Sequence, residues 1–369
     1  MDHIQHLKDW VPNYNPEHPL VIAGPCSAES ETQVLKTAQA LSQFPQVSYL
    51  RAGIWKPRTR PNTFEGVGEA GLPWLKLARR ETGLPIATEV ANARHAELAL
   101  KYEVDLVWIG ARTTVSPFAV QEIAEALQGT NIPILVKNPM NADLSLWLGA
   151  IERFTNLGLT KLGAIHRGFS SYQPSEYRNL PLWQLPMELK RRYPDLPLIC
   201  DPSHIAGQRD MIYQVSQKAM DLDMDGLMIE THPDPEVALS DAKQQVTPQM
   251  LQDTLSRVAV RNPSVENPDF HNELSELRVL IDRIDQDIIE ALAHRMQVVE
   301  KIGNAKIRSG VTALQVSRLD AILKKQMGKA SEMNINPEHI QDIYRTIHEE
   351  SVRIQTEMMR ESRGLNTDS

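Results

Sequence analysis

Short apolar runs recur along the first two thirds of the chain, each followed by a stretch whose apolar positions fall three and four residues apart. The runs occupy residues 19–23, 47–52, 85–89, 105–109, 133–137, 160–165, 196–200 and 225–229. They are too brief and too uniformly apolar for half-exposed strands, and read as strands covered on both faces. The intervening stretches, such as 31–44, 71–81, 93–102, 117–127 and 144–157, carry the spacing of amphipathic helices. Eight strand–helix repeats in about 260 residues predict one closed (β/α)8 barrel. An open doubly wound sheet is the alternative, but no Gly-x-Gly-x-x-Gly follows the first run.

The alternation stops at Arg261-Asn262-Pro263-Ser264-Val265-Glu266-Asn267-Pro268-Asp269, where two prolines with Asn and Ser mark a linker. Strands do not resume. From about 271 to 308 the apolar period becomes seven, through Leu274, Leu277, Ile281, Ile284, Ile288, Ala291, Arg295, Val298, Ile302 and Ala305. One helix of that length spans about 55 Å. Gly310 ends it, and shorter helices are expected at 313–328 and from Pro337 to 360. Three helices in about 95 residues make a thin core, so dimerisation through them is expected. The predicted organisation is a TIM barrel over 1–262, a linker over 263–271, and an all-α three-helix domain over 272–369.

Composition narrows the function. The chain has 369 residues, 41% of them hydrophobic, which suffices for one large and one small domain. A net charge of -8 argues against a bulk nucleic-acid or membrane-surface binder. Only Cys26 and Cys200 carry thiols, so no disulfide framework is implied. No signal core and no run near the ~20 apolar residues of a membrane span is present. A cytoplasmic protein is therefore expected. Residues 1–18 read as a polar lead-in arm, too short for a separate regulatory domain.

Chemistry-bearing residues stand where the strands end. Gly24-Pro25-Cys26-Ser27 follows the first strand, and Arg51 with Lys56-Pro57-Arg58-Thr59 the second. Glu89 ends the third, Gly110-Ala111-Arg112 follows the fourth, and Lys137 ends the fifth. His166-Arg167-Gly168 follows the sixth, Asp201-Pro202-Ser203-His204 the seventh, and Glu230, His232 and Asp241 the eighth. Barrel enzymes build their sites on that rim. His204, Glu230 and Asp241 make a plausible ligand set for a divalent metal. Five cations on one rim (Arg51, Lys56, Arg112, Lys137, Arg167) suit a phosphorylated or carboxylated substrate.

In the helical part, Arg295 interrupts an apolar seam, and an unpaired charge there is costly. Lys306, eleven residues on, shares nearly its face, whereas Arg278 is rotated from Arg295 by about 100° and reaches it only from a partner helix. Ser351 and Gln355 lie one turn apart on the third helix. Such cations and neutral hydrogen-bonders suggest a pocket for a small dianion.

On these motifs, with Cys200-Asp201-Pro202-Ser203-His204 and Ser240-Asp241, residues 19–260 resemble type I 3-deoxy-D-arabino-heptulosonate 7-phosphate synthases of the beta subclass. The resemblance implies condensation of phosphoenolpyruvate with erythrose 4-phosphate. It implies a divalent metal on Cys26, His204, Glu230 and Asp241, with manganese first and iron, cobalt or zinc as alternatives. It further implies phosphoenolpyruvate on Arg51, Lys56, Arg112, Lys137 and Arg167, and erythrose 4-phosphate on Arg58 and Thr59. Lys56 would donate a proton to the developing alkoxide, and Glu89 would orient the attacking water. The runner-up, 3-deoxy-manno-octulosonate 8-phosphate synthase, normally carries Lys-Ala-Asn-Arg-Ser where this chain has Lys56-Pro57-Arg58-Thr59. Residues 270–362 resemble the all-helical chorismate mutases through Arg278, Arg295, Lys306, Arg318, Ser351 and Gln355. That resemblance implies conversion of chorismate to prephenate, with Lys306 and Gln355 at the ether oxygen. The chain departs from many members in having Leu319 and Gln315 where they have carboxylates. The helical part is therefore expected to be an active mutase, or a module for dimerisation and for sensing prephenate or chorismate.

Overall fold

The computed structural model describes residues 4–56, 64–172, 174–261 and 267–362. The chain divides into two compact units, Met1–Pro263 and Ser264–Ser369.

The first unit is the expected barrel. Strands β1 (Leu20–Gly24), β2 (Val47–Arg51), β3 (Ile86–Val90), β4 (Leu106–Ile109), β5 (Ile134–Lys137), β6 (Leu162–His166), β7 (Leu198–Cys200) and β8 (Gly226–Glu230) close in sequence order. All neighbouring pairs, including β1 with β8, are parallel. Several strands begin a residue or more later than the apolar pattern, because a proline precedes them and cannot donate to a ladder. Its carbonyl still takes part. Pro85 O accepts from Leu50 N at 2.8 Å, Pro133 O from Val107 N at 3.1 Å, and Pro197 O from Ala164 N at 2.8 Å.

Strand alternation divides the core in two. Inward residues Ile22, Tyr49, Ala87, Leu106, Trp108, Leu135, Ile165, Ile199 and Met228 fill the barrel. Outward residues such as Val21, Leu50, Val107, Val136 and Leu227 pack beneath the helices. The arm read as polar does more than lead in. Leu7, Trp10 and Val11 are buried with the inward set, and Gln5 N donates to Thr160 O just ahead of β6. This arm closes the barrel at the strands' N-terminal ends. Helices enter through side-chain caps: Ser30 accepts from Gln33 N, Asn92 from His95 N, Asp143 from Leu146 N and Thr247 from Met250 N.

The second unit holds three helices, Pro268–Ser309, Val316–Glu332 and Pro337–Glu361. The first starts earlier than the sequence suggested, because Asn267 caps it through Asp269 N. Positions 268–271 of the expected linker are therefore helical. It ends at Gly310, whose φ of 63° lies in the left-handed region that glycine adopts freely. Gly303 lets this helix meet the third closely: a Cβ there would lie 2.8 Å from Met358 Sδ and 3.3 Å from Gln355 Cγ. The upstream seam is uncovered within one chain. Leu277, Ile281, Ile284 and Ile288 are each half exposed or more.

Trp147, on the helix Leu144–Asn156, is fully buried and donates from Nε1 to Val136 O at 3.0 Å. Trp147→Ala removes that volume and the indole's hydrogen bond to the β5 backbone. It should destabilise the barrel by about 4 kcal/mol, read as a lower midpoint of its chemical denaturation transition.

Candidate active site

The ends of β1, β7 and β8 bring a thiol, two carboxylates and an imidazole together. One ligand atom each from Cys26, Glu230 and Asp241 lies within 4.8 Å of the others. Cys26 Sγ is 3.3 Å from Asp241 Oδ2 and accepts from Lys56 Nζ at 3.0 Å. His204 presents Nε2 at 3.8 Å from Glu230 Oε1, while its Nδ1 sits 2.8 Å from Asp201 Oδ2. Asp201 thus fixes which imidazole nitrogen faces the cluster, as a second carboxylate does for metal-ligating histidines. Asp241 adopts a φ of 47°, a left-handed conformation that its short polar side chain tolerates. The donor set fits a borderline divalent transition metal.

The electrostatics suit that reading. Burial, with Glu230 nearby, pushes the Cys26 thiol up to about 12. A metal ion would have to displace that proton. Burial lowers His204 below its ordinary value, against the pull of Asp201 and Glu230, and the neutral imidazole is the ligating form. Burial opposes ionisation of Glu230 and Asp241. His204 and Arg51 outweigh it at Glu230, and His204 and Arg178 at Asp241, so both carboxyls fall below their ordinary values.

The predicted cations surround this cluster. Arg51 is buried and donates to Glu230 Oε1 at 3.2 Å. Lys137 Nζ reaches Asp201 Oδ2 at 2.6 Å. Arg167 donates to Asn179 Oδ1 at 2.7 Å, and burial lowers it to about 10. Burial also works against the Lys56 ammonium, but Cys26, Glu230 and Glu89 more than compensate and raise it. One cavity is lined by Lys56, Glu89, Arg112, Lys137, Arg167, His204 and Asp241. Arg58 and Thr59 lie outside the described residues. His232 does not join the site: its Nε2 faces Glu29 Oε2 at 3.6 Å.

Several residues here escaped the sequence reading as site candidates. Arg178 lines the cavity and donates to Asp241 Oδ1 at 3.0 Å. Gln244 donates to Glu230 Oε2 at 2.7 Å, and Gln245 accepts from Cys26 N at 3.0 Å. Asn138 accepts from Arg167 N at 2.7 Å. Arg178 sits in a long loop with no motif around it. Only the run Asp241-Ala242-Lys243-Gln244-Gln245 hinted that more than Asp241 belonged to the site.

The second unit builds its own pocket, lined by Arg295, Lys306, Gln315, Arg318, His348, Ser351 and Gln355 among apolar side chains. Arg295 Nη1 donates to Ser351 Oγ at 2.6 Å, and Lys306 Nζ to Ala313 O at 2.6 Å. Gln355 donates to Ser351 O at 3.0 Å, leaving its buried Oε1 unpartnered among the described residues. No carboxylate lines this pocket among the described residues. Arg278 is exposed on the long helix, about 25 Å from Arg295 at 1.5 Å per residue, and does not join it within one chain.

A barrel with a thiol–imidazole–carboxylate cluster inside a ring of cations is a candidate aldolase-type enzyme acting on anionic substrates. Residues 13–263 match the DAHP synthetase I family, and residues 277–356 match chorismate mutase type II. The chain belongs to the DAHP synthetase I family, and its second unit matches chorismate mutase type II. It is 34% identical over 226 residues to a phospho-2-dehydro-3-deoxyheptonate aldolase of Thermotoga maritima, covering 61% of this chain and 64% of that relative. A crystal structure of that Thermotoga maritima aldolase superposes with a TM-score of 0.59 at 30% identity, covering 66% of this chain and 68% of that one. A 2-dehydro-3-deoxyphosphooctonate aldolase of Syntrophotalea carbinolica is 26% identical, covering 65% of this chain and 90% of the relative. The DAHP synthase family generally uses a divalent metal. No helix of the described residues is long and apolar enough to cross a membrane.

Asp201 is fully buried between Lys137 and His204. Asp201→Asn leaves Lys137 a buried charge without its counterion. It should cost about 3–5 kcal/mol of barrel stability, measured by denaturant titration against the parent protein.

Proposed function

We propose that the barrel condenses phosphoenolpyruvate with erythrose 4-phosphate, and that the helical unit converts chorismate to prephenate. The observation carrying the first reading is the cation ring of Arg51, Lys56, Arg112, Lys137 and Arg167 around the Cys26, His204, Glu230 and Asp241 cluster. The ring would take the phosphate and carboxylate of phosphoenolpyruvate, with Arg51 and Arg167 as forked donors and the lysines as point charges. Arg58 and Thr59 would take the second phosphate. A divalent ion on the four ligands, manganese first, would supply Lewis-acid polarisation of the aldehyde. Lys56, kept protonated beside Cys26, would donate a proton to the alkoxide as the new carbon–carbon bond forms. Glu89, facing the same cavity, would orient the water that adds to C2 before phosphate leaves.

For the helical unit, a pocket with three cations and, among the described residues, no acid favours a dianionic ligand. The rearrangement moves no proton. The pocket would hold the compact conformer and stabilise charge on the breaking ether oxygen through Lys306 and Gln355. Gln355 Oε1 carries no hydrogen, so its Nε2 would have to leave Ser351 O to serve that oxygen. Arg295 and Arg318 would clamp carboxylates. The half-exposed seam through Leu277, Ile281, Ile284 and Ile288 suits a homodimer in which Arg278 completes the partner's pocket. A pocket for a late intermediate fused to an early enzyme of the same route fits feedback inhibition by prephenate, in a cytoplasmic setting. A second reading, of a unit that binds prephenate or chorismate without turning it over, is favoured by Gln315 in the pocket wall, where many mutases carry a carboxylate.

Two assays on one metal-replete sample test this. One follows phosphoenolpyruvate loss with erythrose 4-phosphate, with and without prephenate, and the other follows chorismate loss. Both activities are expected, with the first slowed by prephenate. Persisting chorismate would leave the sensing reading. Cys26→Ser should lower metal content per chain by elemental analysis, and unchanged content refutes the ligand assignment. Arg295→Ala should cut mutase turnover by at least ~100-fold and remove prephenate sensitivity, leaving basal condensation intact.

A further inference from the structure

We propose that Trp108 is a positioning residue of the barrel site, a single buried indole that tethers Glu89 and supports the cations of Arg51 and Lys137. The proposal rests on the condensation reading above and adds a residue to it. Strand β4 turns Trp108 into the barrel, two residues before Gly110-Ala111-Arg112, and the side chain is fully buried. Its Nε1 donates to Glu89 Oε2 at 3.0 Å. The Glu89 carboxylate also lies close against Gly110. A Cβ at Gly110 would stand 2.2 Å from Glu89 Oε1, so only glycine leaves the carboxylate where the indole holds it.

The ring serves the cations. Arg51 Cζ lies 4.9 Å and Lys137 Nζ 5.9 Å from its centroid, within the reach of cation–π attraction. Arg51 has one anchor, the 3.2 Å contact of Nη2 with Glu230, and its Nε and Nη1 are buried without a hydrogen-bond partner among the described residues. A second carboxylate in place of the indole would hold Arg51 but would cap those N–H groups and cancel its charge. An aromatic face attracts the guanidinium while leaving the N–H groups for a substrate anion. Trp108 therefore separates two tasks: the ring keeps the anion site cationic, and the N–H orients the carboxylate that handles water.

Two substitutions part these tasks. Trp108→Phe keeps a ring and loses the N–H. We expect kcat for condensation to fall about tenfold, with KM for phosphoenolpyruvate within about twofold of the parent. Trp108→Leu loses both, and phosphoenolpyruvate affinity by calorimetry should weaken about tenfold. Glu89→Gln in the Trp108→Phe background should cost little beyond either change alone. If Trp108→Leu fails to fold, judged by circular dichroism, the Phe variant and the double-mutant comparison decide. Wild-type kcat and an unshifted pH profile in a folded Trp108→Phe overturn the N–H role, and equal phosphoenolpyruvate affinity in the folded Phe and Leu variants overturns the ring role. If the parent protein makes no product, the condensation reading fails by itself. Calorimetry on the same two variants then still decides whether the ring supports the anion site.

Discussion

The barrel site depends on one buried carboxylate. Asp201 is fully enclosed, yet it holds Lys137 at 2.6 Å and His204 at 2.8 Å on the same oxygen, Oδ2. Its other oxygen accepts the N–H of His204 at 3.0 Å and caps the short helix Pro202–Ala206. Burial alone would keep such a carboxyl protonated. His204 and Lys137 reverse that and hold it well below its ordinary value. A member of the cation ring and a member of the ligand cluster are thus fixed to one point, and neither can move without uncovering a buried charge.

Around that point the site is built as interlocked pairs. Glu230 takes Arg51 on one oxygen and Gln244 on the other, while Ser203 accepts from its backbone N–H. Asp241 is approached by Arg178 and Cys26, and Cys26 by Lys56. Cations and ligands alternate, so each cation offsets a carboxylate's burial and each carboxylate keeps a cation charged. Substrate anions and a metal ion would enter a lattice already organised to receive opposite charges, with little rearrangement needed.

The helical unit follows another logic. Its pocket is made by close approach, Gly303 admitting Gln355 and Met358, and its polar groups come from helices whose apolar seam is left uncovered in a single chain. Such a unit has little core of its own.

By itself the sequence determined the order of elements and which chemistry-bearing residues stand at the strand ends. Buried parallel strands must be uniformly apolar, so their ends, where Cys26, Arg51, Lys137, His204 and Glu230 stand, are visible as abrupt polar residues. Helix starts were legible where a proline follows a capping residue, as at Pro117 and Pro337. The tertiary structure decided what periodicity cannot encode. It decided that Leu7, Trp10 and Val11 of a seemingly polar arm close the barrel, and that Arg178 turns toward Asp241 while His232 turns away to Glu29. It also decided that Trp108, an ordinary apolar letter in a strand, touches three members of the site. These pairings join residues far apart in the chain. They are set by strand register and loop path, which no local pattern of polar and apolar positions records.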